Sequence, residues 1–516
     1  MATIVDVRPT TTYAAPALPK AEPCTLVIFG ATGDLTRRKL IPALYDLACV
    51  GCMSPHFDIV GIGRKPLSDE QFRETLQEAA SHSKDARNFS SEGWSDFAKR
   101  ITYFRADTDN PASYSEIARH LAQMQSKGAS PNLLFYVATP SSLFAEIIHG
   151  LGEAGLNRNE KGWTRIVVEK PFGSDLKSAQ ELNRVLTSVF PEESVYRIDH
   201  YLGKETVQNI LVFRFGNLLF EPVWNRNYID YVEITGAETL GVEQRAAFYE
   251  ETGALRDMVA NHMLQLLSLT AMEPPLAFDP ASVRSKKVEV LNAIRPMTVD
   301  EVAERTVRGQ YGPGQIDSKP VPGYRQEQGV SPTSTTETYA AVQFFIDNWR
   351  WAGVPFLVRS GKRLSRNLTE IAVHFKRTPQ ALFAHESDQE IERNVIAFRI
   401  QPNEGITVDF AAKRPGTEMH TANVQLNFRY REAFGTKTPV AYETLLLDAM
   451  RGDATLFTRR DEVEAEWKLI TPIEQAWAQL PPPKFPNYSA GSEGPEASEM
   501  LPGQYGWHWR TLDPLA

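Results

Sequence analysis

Residues 197–205 read Arg-Ile-Asp-His-Tyr-Leu-Gly-Lys-Glu. Asp199, His200, Tyr201 and Lys204 thus place a carboxylate, an imidazole, a phenol and an ammonium side by side. If a helical turn opens near His200, His200 and Lys204 at i and i+4 share a face. His, Tyr and Lys then form a compact donor set for a phosphate dianion, which a helix N-terminus reinforces. The plainer alternative is a capped helix with a surface ion pair. Residues 256–265, Arg-Asp-Met-Val-Ala-Asn-His-Met-Leu-Gln, set His262 among apolar neighbours. A lone histidine there is more often a satisfied core residue than a catalyst.

Two further segments suggest a cofactor. Gly30-Ala31-Thr32-Gly33-Asp34-Leu35 follows an apolar run and opens a helix. Glycines there let backbone amides approach a pyrophosphate, and the helix N-terminus stabilises its charge. The spacing is not G-x-G-x-x-G, so its position after a strand carries the argument, against an ordinary tight turn. After the second strand, where NAD enzymes commonly carry an acid for the ribose 2′-OH, this chain has Gly63-Arg64-Lys65. Arg64 could pair with a 2′-phosphate, with Thr32 as a nearby donor, which favours NADP over NAD. Val168–Gly173 ends a strand in Lys170 before Pro171, placed to touch substrate and nicotinamide together at the carboxyl end of a sheet. The alternative is a surface lysine at a turn.

These residues need a scaffold. Thr25–Phe29, Asp58–Ile62, Ile101–Phe104, Leu133–Ala138 and Arg165–Glu169 read as strands, with helical patterns around Ser115–Gln125, Ser141–Gly150 and Asp175–Val189. The alternation predicts a Rossmann-like, doubly wound parallel sheet. Ser68 with Gln71 predicts a capping box, and Pro42 should bend or divide the helix after Asp34. After residue 200 the style changes. Arg245–Thr270 reads as one long helix. Thr338–Asp347, Ile371–Phe375, Val395–Ile400, Ile406–Phe410 and Val424–Phe428 read as a large, mainly antiparallel sheet with helices on one side. Gly309–Pro332 reads as a long loop, and the chain from Pro481 as irregular. The expected division is a disordered tail at 1–23, a nucleotide domain at 24–200, and a substrate and oligomerisation domain at 201–516.

The 516 residues carry a net charge of −9, which argues against a global nucleic-acid footprint. No run approaches the roughly 18 apolar residues of a membrane span. The first 23 residues lack the apolar segment of a secretory signal. Three cysteines exclude a disulfide scaffold and fit a reducing, cytoplasmic setting. Cys49-Val50-Gly51-Cys52 falls at a helix end, without a second pair for zinc, and reads as structural. No His-Glu-x-x-His is present, and no metal is expected.

Taken together, GATGDLTRRKL at 30–40, EKPFG at 169–173, RIDHYLGKE at 197–205, the helix at 256–265 and RSGK at 359–362 resemble the glucose-6-phosphate dehydrogenase family, over about residues 24–480. The resemblance implies oxidation of glucose 6-phosphate to a lactone, with hydride transfer to NADP, as the first step of the pentose phosphate pathway. It implies that His262 takes the proton from the C1 hydroxyl and that Asp199 orients it. It implies that His200, Tyr201 and Lys204 bind the sugar phosphate, that Lys170, Glu238, Asp257 and Lys362 touch the substrate, and that the chain forms a homodimer or homotetramer. One departure is Asn367, beside Arg366, where the family often carries a basic residue. The competing readings are a related oxidoreductase of neutral sugars, against which the phosphate set argues, and a non-catalytic NADP sensor, which would not need Asp199 with His262.

Overall fold

The computed structural model describes residues 19–378, 392–435 and 438–512. Of the expected tail, residues 1–18 lie outside the described residues. The rest is tied down: the Ala21 amide donates to the Cys52 carbonyl at 2.8 Å, and the Pro23 carbonyl accepts the Ser130 hydroxyl at 2.8 Å.

Strands β1 (Cys24–Phe29), β2 (Phe57–Gly63), β3 (Ile101–Arg105), β4 (Leu133–Val137), β5 (Thr164–Glu169) and β6 (Val195–Ile198) form a parallel sheet in the order β3-β2-β1-β4-β5-β6. Their apolar, β-branched runs are buried on both faces, as a parallel sheet requires. Helices Ile41–Cys49, Asp69–Ser81 and Ser91–Ala98 cover one face, and Pro111–Ser126, Phe144–Glu153 and Leu176–Val189 the other. The order reverses between β1 and β4, which opens a crevice beyond their carboxyl ends. The Ser68–Gln71 capping box is present. Pro42 lies in the first turn of Ile41–Cys49, directly after a wide π-type turn over Thr36–Leu40. The proline therefore divides the helix by a change of winding rather than ending it.

The second sheet joins β7 (Ile229–Ala237), β8 (Thr306–Gly309), β9 (Tyr339–Phe345), β10 (Pro355–Gly361), β11 (Leu368–Phe375), β12 (Val395–Gln401), β13 (Gly405–Lys413) and β14 (Thr421–Arg429). Its order is β14-β13-β12-β11-β7-β10-β9-β8, and the β7–β10 pair is parallel within an otherwise antiparallel sheet. One face packs on the helical segments at 255–271, through Val232, Ile234, Val342 and Val358. The other face is not bare. Tyr311 and Tyr324 from the expected loop, with Tyr488, Leu501, Trp509 and Leu512 from the chain after Pro481, close over Tyr231, Tyr339 and Leu357. That loop also holds a small hairpin, Gly314–Ile316 with Lys319–Val321.

Helix Ala441–Arg451 returns to pack on the first sheet's helix Ile41–Cys49, and helix Arg460–Gln479 lies along Leu176–Val189. No helix among the described residues is long and apolar enough to cross a membrane.

Two local expectations are corrected. Residues 199–204 form a turn, and the helix begins only at Glu205, with Lys204 as its N-cap in extended conformation. The Asp199 carboxylate accepts the Tyr201 amide at 2.9 Å, and Gly203 passes so near Ala441 that a Cβ would lie 2.5 Å from its carbonyl oxygen. These contacts hold the segment out of helical winding. The long helix at 245–270 is instead three pieces. Ala246–Ala254 carries a kink at Gly253 (φ +62°, ψ −177°), Leu255–Met263 is π-wound, and Leu264–Ala271 is α-helical.

Candidate active site

The expected cofactor residues sit where β1 and β2 end. Gly30 has φ +81°, and a Cβ there would meet the Ala138 carbonyl oxygen at 2.5 Å, so only glycine fits. The Gly33 amide donates to the Gly30 carbonyl at 2.9 Å, and the helix begins at Asp34 and Leu35. Ala31 and Thr32 lie on the turn between, with the Ala31 amide on the Ile62 carbonyl at 3.1 Å. Arg64 follows β2 on the neighbouring strand end and is exposed. A close glycine turn facing a helix N-terminus fits a dinucleotide pyrophosphate.

At the far side of the crevice, β5 and β6 deliver Lys170 and Asp199, and the π-wound segment delivers Asp257 and His262. His262 Nδ1 lies 2.6 Å from Asp199 Oδ1, and its Nε2 lies 2.9 Å from Lys170 Nζ. An ammonium only donates, so Nε2 must carry the lone pair, and Nδ1 must hold the proton given to Asp199. Lys170 Nζ also donates to the Asp257 carboxylate and carbonyl, each at 3.0 Å. The Tyr201 ring stacks on His262 with centroids 4.2 Å apart, and the His200 ring meets His262 edge-on at 4.7 Å.

The electrostatics suit a base. Burial lowers the His262 pKa; Asp199 pulls it back up and Lys170 pushes it down, and the net is a value below that of free histidine. Burial raises the Asp199 carboxyl, yet His262, His200 and the Tyr201 amide together hold it well below the usual carboxylate range. Burial and the neighbouring His262 keep His200 neutral. Asp257 is likewise lowered, against its burial, by Lys170, Lys362 and Arg245.

The pattern "Glucose-6-phosphate dehydrogenase, NAD binding domain" matches residues 27–209, and "Glucose-6-phosphate dehydrogenase, C-terminal domain" matches residues 211–510. The chain belongs to the glucose-6-phosphate dehydrogenase family. It is 46% identical over 492 residues to the glucose-6-phosphate 1-dehydrogenase of Aggregatibacter actinomycetemcomitans, covering 95% of this chain and 98% of that one. It is 44% identical to that of Bacillus subtilis, with the same coverage. A solved glucose-6-phosphate dehydrogenase in complex with glucose-6-phosphate superposes with TM-score 0.86 at 36% identity, covering 96% of this chain and all of the other. The glucose-6-phosphate 1-dehydrogenase of Mycobacterium avium gives 0.81 at 34%, covering 96% of this chain and 100% of the other. The first sheet therefore carries this oxidoreductase family's nicotinamide-cofactor domain.

Within this member of the glucose-6-phosphate dehydrogenase family, the remaining expected residues lie around the same cluster. Lys204 Nζ sits 4.9 Å over the Tyr201 ring and donates to Gln401. Lys362 pairs with Glu238 and lies 5.2 Å over the Tyr249 ring. Thus Lys170, Asp199, His200, Tyr201, Asp257 and His262 converge directly, Lys204 adjoins them through Tyr201, and Lys362 with Glu238 adjoins Asp257. Arg64 and the Gly30 turn lie apart, at the ends of β1 and β2. A cavity of about 600 Å³ opens on Lys170, Asp257 and Asn261, with Ser174 and Ser178 on one wall and Arg245 on another.

Several neighbours have no sequence signal of their own. Glu169 accepts the hydroxyls of Tyr136 at 2.6 Å and Tyr442 at 3.1 Å, and the Tyr442 ring runs parallel to His200. Gln401 comes from the end of β12. Asn367 accepts the Thr239 amide at 2.8 Å, which fixes the backbone beside Glu238. Of these, Glu169 lies in the EKPFG segment and Asn367 at the position where the family often carries a basic residue. A carboxylate and two imidazoles (Asp199, His200, His262) lie within metal-ligating reach of one another. Asp199 and the Lys170 ammonium already engage both His262 nitrogens, and that ammonium would repel a cation, so the set suits proton transfer better.

Proposed function

We propose that this chain oxidises C1 of glucose 6-phosphate to the lactone, with NADP as hydride acceptor. The observation that carries this reading is His262, fixed by Asp199 and turned with its Nε2 lone pair toward Lys170. A bound nicotinamide supplies the two-electron acceptor for the hydride leaving C1. His262 Nε2 takes the proton from O1, so a C–H and an O–H bond break as the C1=O bond forms. Asp199 holds the tautomer and stabilises the resulting imidazolium. Lys170, now bonded to both Asp257 and His262 Nε2, releases that nitrogen and opens with Asp257 to admit the hydroxyls, with Glu238 and Lys362 beside them. Lys204, Tyr201 and neutral His200 supply donors to the phosphate dianion.

NADP, rather than NAD, rests on Arg64 and on the lack of an acid after β2. The two-domain division at residue 200 belongs to the same proposal, with cofactor residues before it and the base after it. Half-exposed strands β13 and β14, with Val424 and Leu426 outward, leave a sheet face open to a second copy. Sedimentation equilibrium tests the expected homodimer or homotetramer, and a monomer at micromolar concentration refutes it. Three free thiols suit the cytoplasm in which we place the protein.

The deciding assay follows reduced-nicotinamide absorbance with glucose 6-phosphate or glucose and with NADP or NAD. Turnover requires the phosphorylated sugar and prefers NADP. In His262→Asn, kcat falls by about 10²–10⁴-fold, the contribution of a positioned base. A folded variant that keeps more than about a tenth of wild-type kcat rules out His262 as the base.

A further inference from the structure

We propose that the π-winding of residues 255–263 is what brings Asp257 and His262 to the same atom, and that Glu337 is the positioning residue that sets this winding. The inference rests on the reading of His262 as the base. Asp257 and His262 are five residues apart, yet both reach Lys170 Nζ, at 3.0 and 2.9 Å. In an α-helix, at about 100° per residue, that spacing would separate two side chains by roughly 140°. In a π-helix, with i→i+5 bonding and about 82° per residue, the separation falls to roughly 50°. Ordinary winding would therefore swing one of the two off Lys170.

What holds the wide winding is visible at both ends. At the start, Glu337 Oε1 accepts the Leu255 amide at 3.1 Å, and the Glu337 carbonyl accepts the Ala254 amide at 3.0 Å. Amides at a helix start lack intrahelical partners, so these bonds fix where the winding begins. Gly253 makes room for them: a Cβ there would lie 2.2 Å from Glu337 Oε1. Near the end, Asn261 Nδ2 donates to the Arg256 carbonyl, five residues back, at 2.7 Å, and the Leu264 amide is shared between the Asn261 carbonyl and the Val259 carbonyl, the latter also five back. Glu337 precedes β9, so the register of the π-turn is keyed to the second sheet. Burial raises the Glu337 pKa, against the backbone amides and the nearby Arg256 and Arg308. A carboxyl oxygen accepts the amide whether or not the group is ionised.

The test uses the full chain with Glu337→Gln, Glu337→Asp and Glu337→Ala, beside His262→Asn. Gln keeps an acceptor at the same reach, whereas Asp keeps the charge but is one methylene short. Gln should stay within about 3-fold of wild-type kcat. Asp and Ala should lose about 10- to 100-fold, because small misplacements of a reacting group are costly. KM for glucose 6-phosphate should change less than kcat, since the phosphate turn at 199–204 does not lie on this helix although the hydroxyl contact Asp257 does. Amide hydrogen exchange at Leu255 should quicken in Asp and Ala and not in Gln. Should Ala fail to fold, Gln and Asp decide. Near-wild-type kcat in folded Asp, loss in Gln equal to that in Asp, or lost kcat without faster Leu255 exchange each overturns the proposal. Retained activity in His262→Asn instead removes the base reading, while the exchange data still judge the winding.

Discussion

Asp199→Asn separates the two things a carboxylate can do for a catalytic histidine: fix its tautomer and stabilise its cation. In many triads the amide turns its nitrogen toward the imidazole and selects the wrong tautomer, at a cost of about 10⁴ in kcat. Here the surroundings forbid that. Asp199 Oδ1 accepts both His262 Nδ1–H at 2.6 Å and the Tyr201 amide at 2.9 Å. An amide nitrogen at this position would face two donors, so Asn must keep its oxygen there. Its nitrogen then takes the place of Oδ2, which has no hydrogen-bond partner. The tautomer survives and the charge is lost. A hydrogen bond to a charged partner is worth about 1.5–3 kcal/mol, against 0.5–1.5 for a neutral one, a difference of roughly 1–2 kcal/mol. The predicted loss in kcat is thus about 5- to 30-fold, well short of the tautomer penalty. Asp199 also raises the His262 pKa. Removing its charge moves the acid limb of kcat/KM to lower pH, because a weaker base stays unprotonated further down the scale. Steady-state rates between about pH 5 and 9 measure both effects. A loss near 10⁴ would refute the pinned-amide argument. An unchanged rate with an unmoved limb would refute the coupling of Asp199 to the base.

Arg64→Ala should raise KM for NADP by about 10-fold and leave NAD nearly unchanged, a charge-assisted contact discounted for exposure; equal losses would show that Arg64 does not read the 2′-phosphate. Lys204→Ala should act mainly on KM for glucose 6-phosphate and erase most of the preference over glucose, because a remote phosphate is bound alike in ground and transition states. Asp448, half-buried, is pushed up to about 7 by burial and by Asp453. A carboxyl raised on folding weakens the fold as pH rises from its unfolded value toward 7. Asp448→Asn should therefore raise the melting temperature at pH 8 and change it little near pH 4; the opposite order would contradict the buried carboxyl.

The parallel sheet is legible because its strands are buried on both faces and appear as unbroken apolar runs, punctuated by Gly30 and by the capping box at Ser68. In the second sheet β9 and β11 to β14 are legible from their alternating runs, whereas the short β8 is not. The parallel β7–β10 pair is not, because a nine-residue buried strand such as Ile229–Ala237 shows no alternation to separate it from a helix. The cover on the far face was also hidden. Tyr311, Tyr488 and Trp509 lie in Gly- and Pro-rich stretches whose local pattern says only that they are neither helix nor strand.

The site divides along the same physical line. Residues that meet within one segment, such as Asp199, His200, Tyr201 and Lys204, announce themselves by composition. Their partners Gln401 and Tyr442 come from distant segments, and no spacing rule links them. The helix at 255–263 is the sharper case. Reading Arg245–Thr270 at 3.6 residues per turn places Asp257 and His262 on different faces, so helical periodicity argues against their meeting. They meet because Gly253 and Glu337, 84 positions apart in the chain, replace the α-register with a wider one. Periodicity measures what a helix does alone, and this helix is wound by its contact with a sheet. The departure from regular winding falls where the proposed base must be placed, which is where local rules are expected to yield to function.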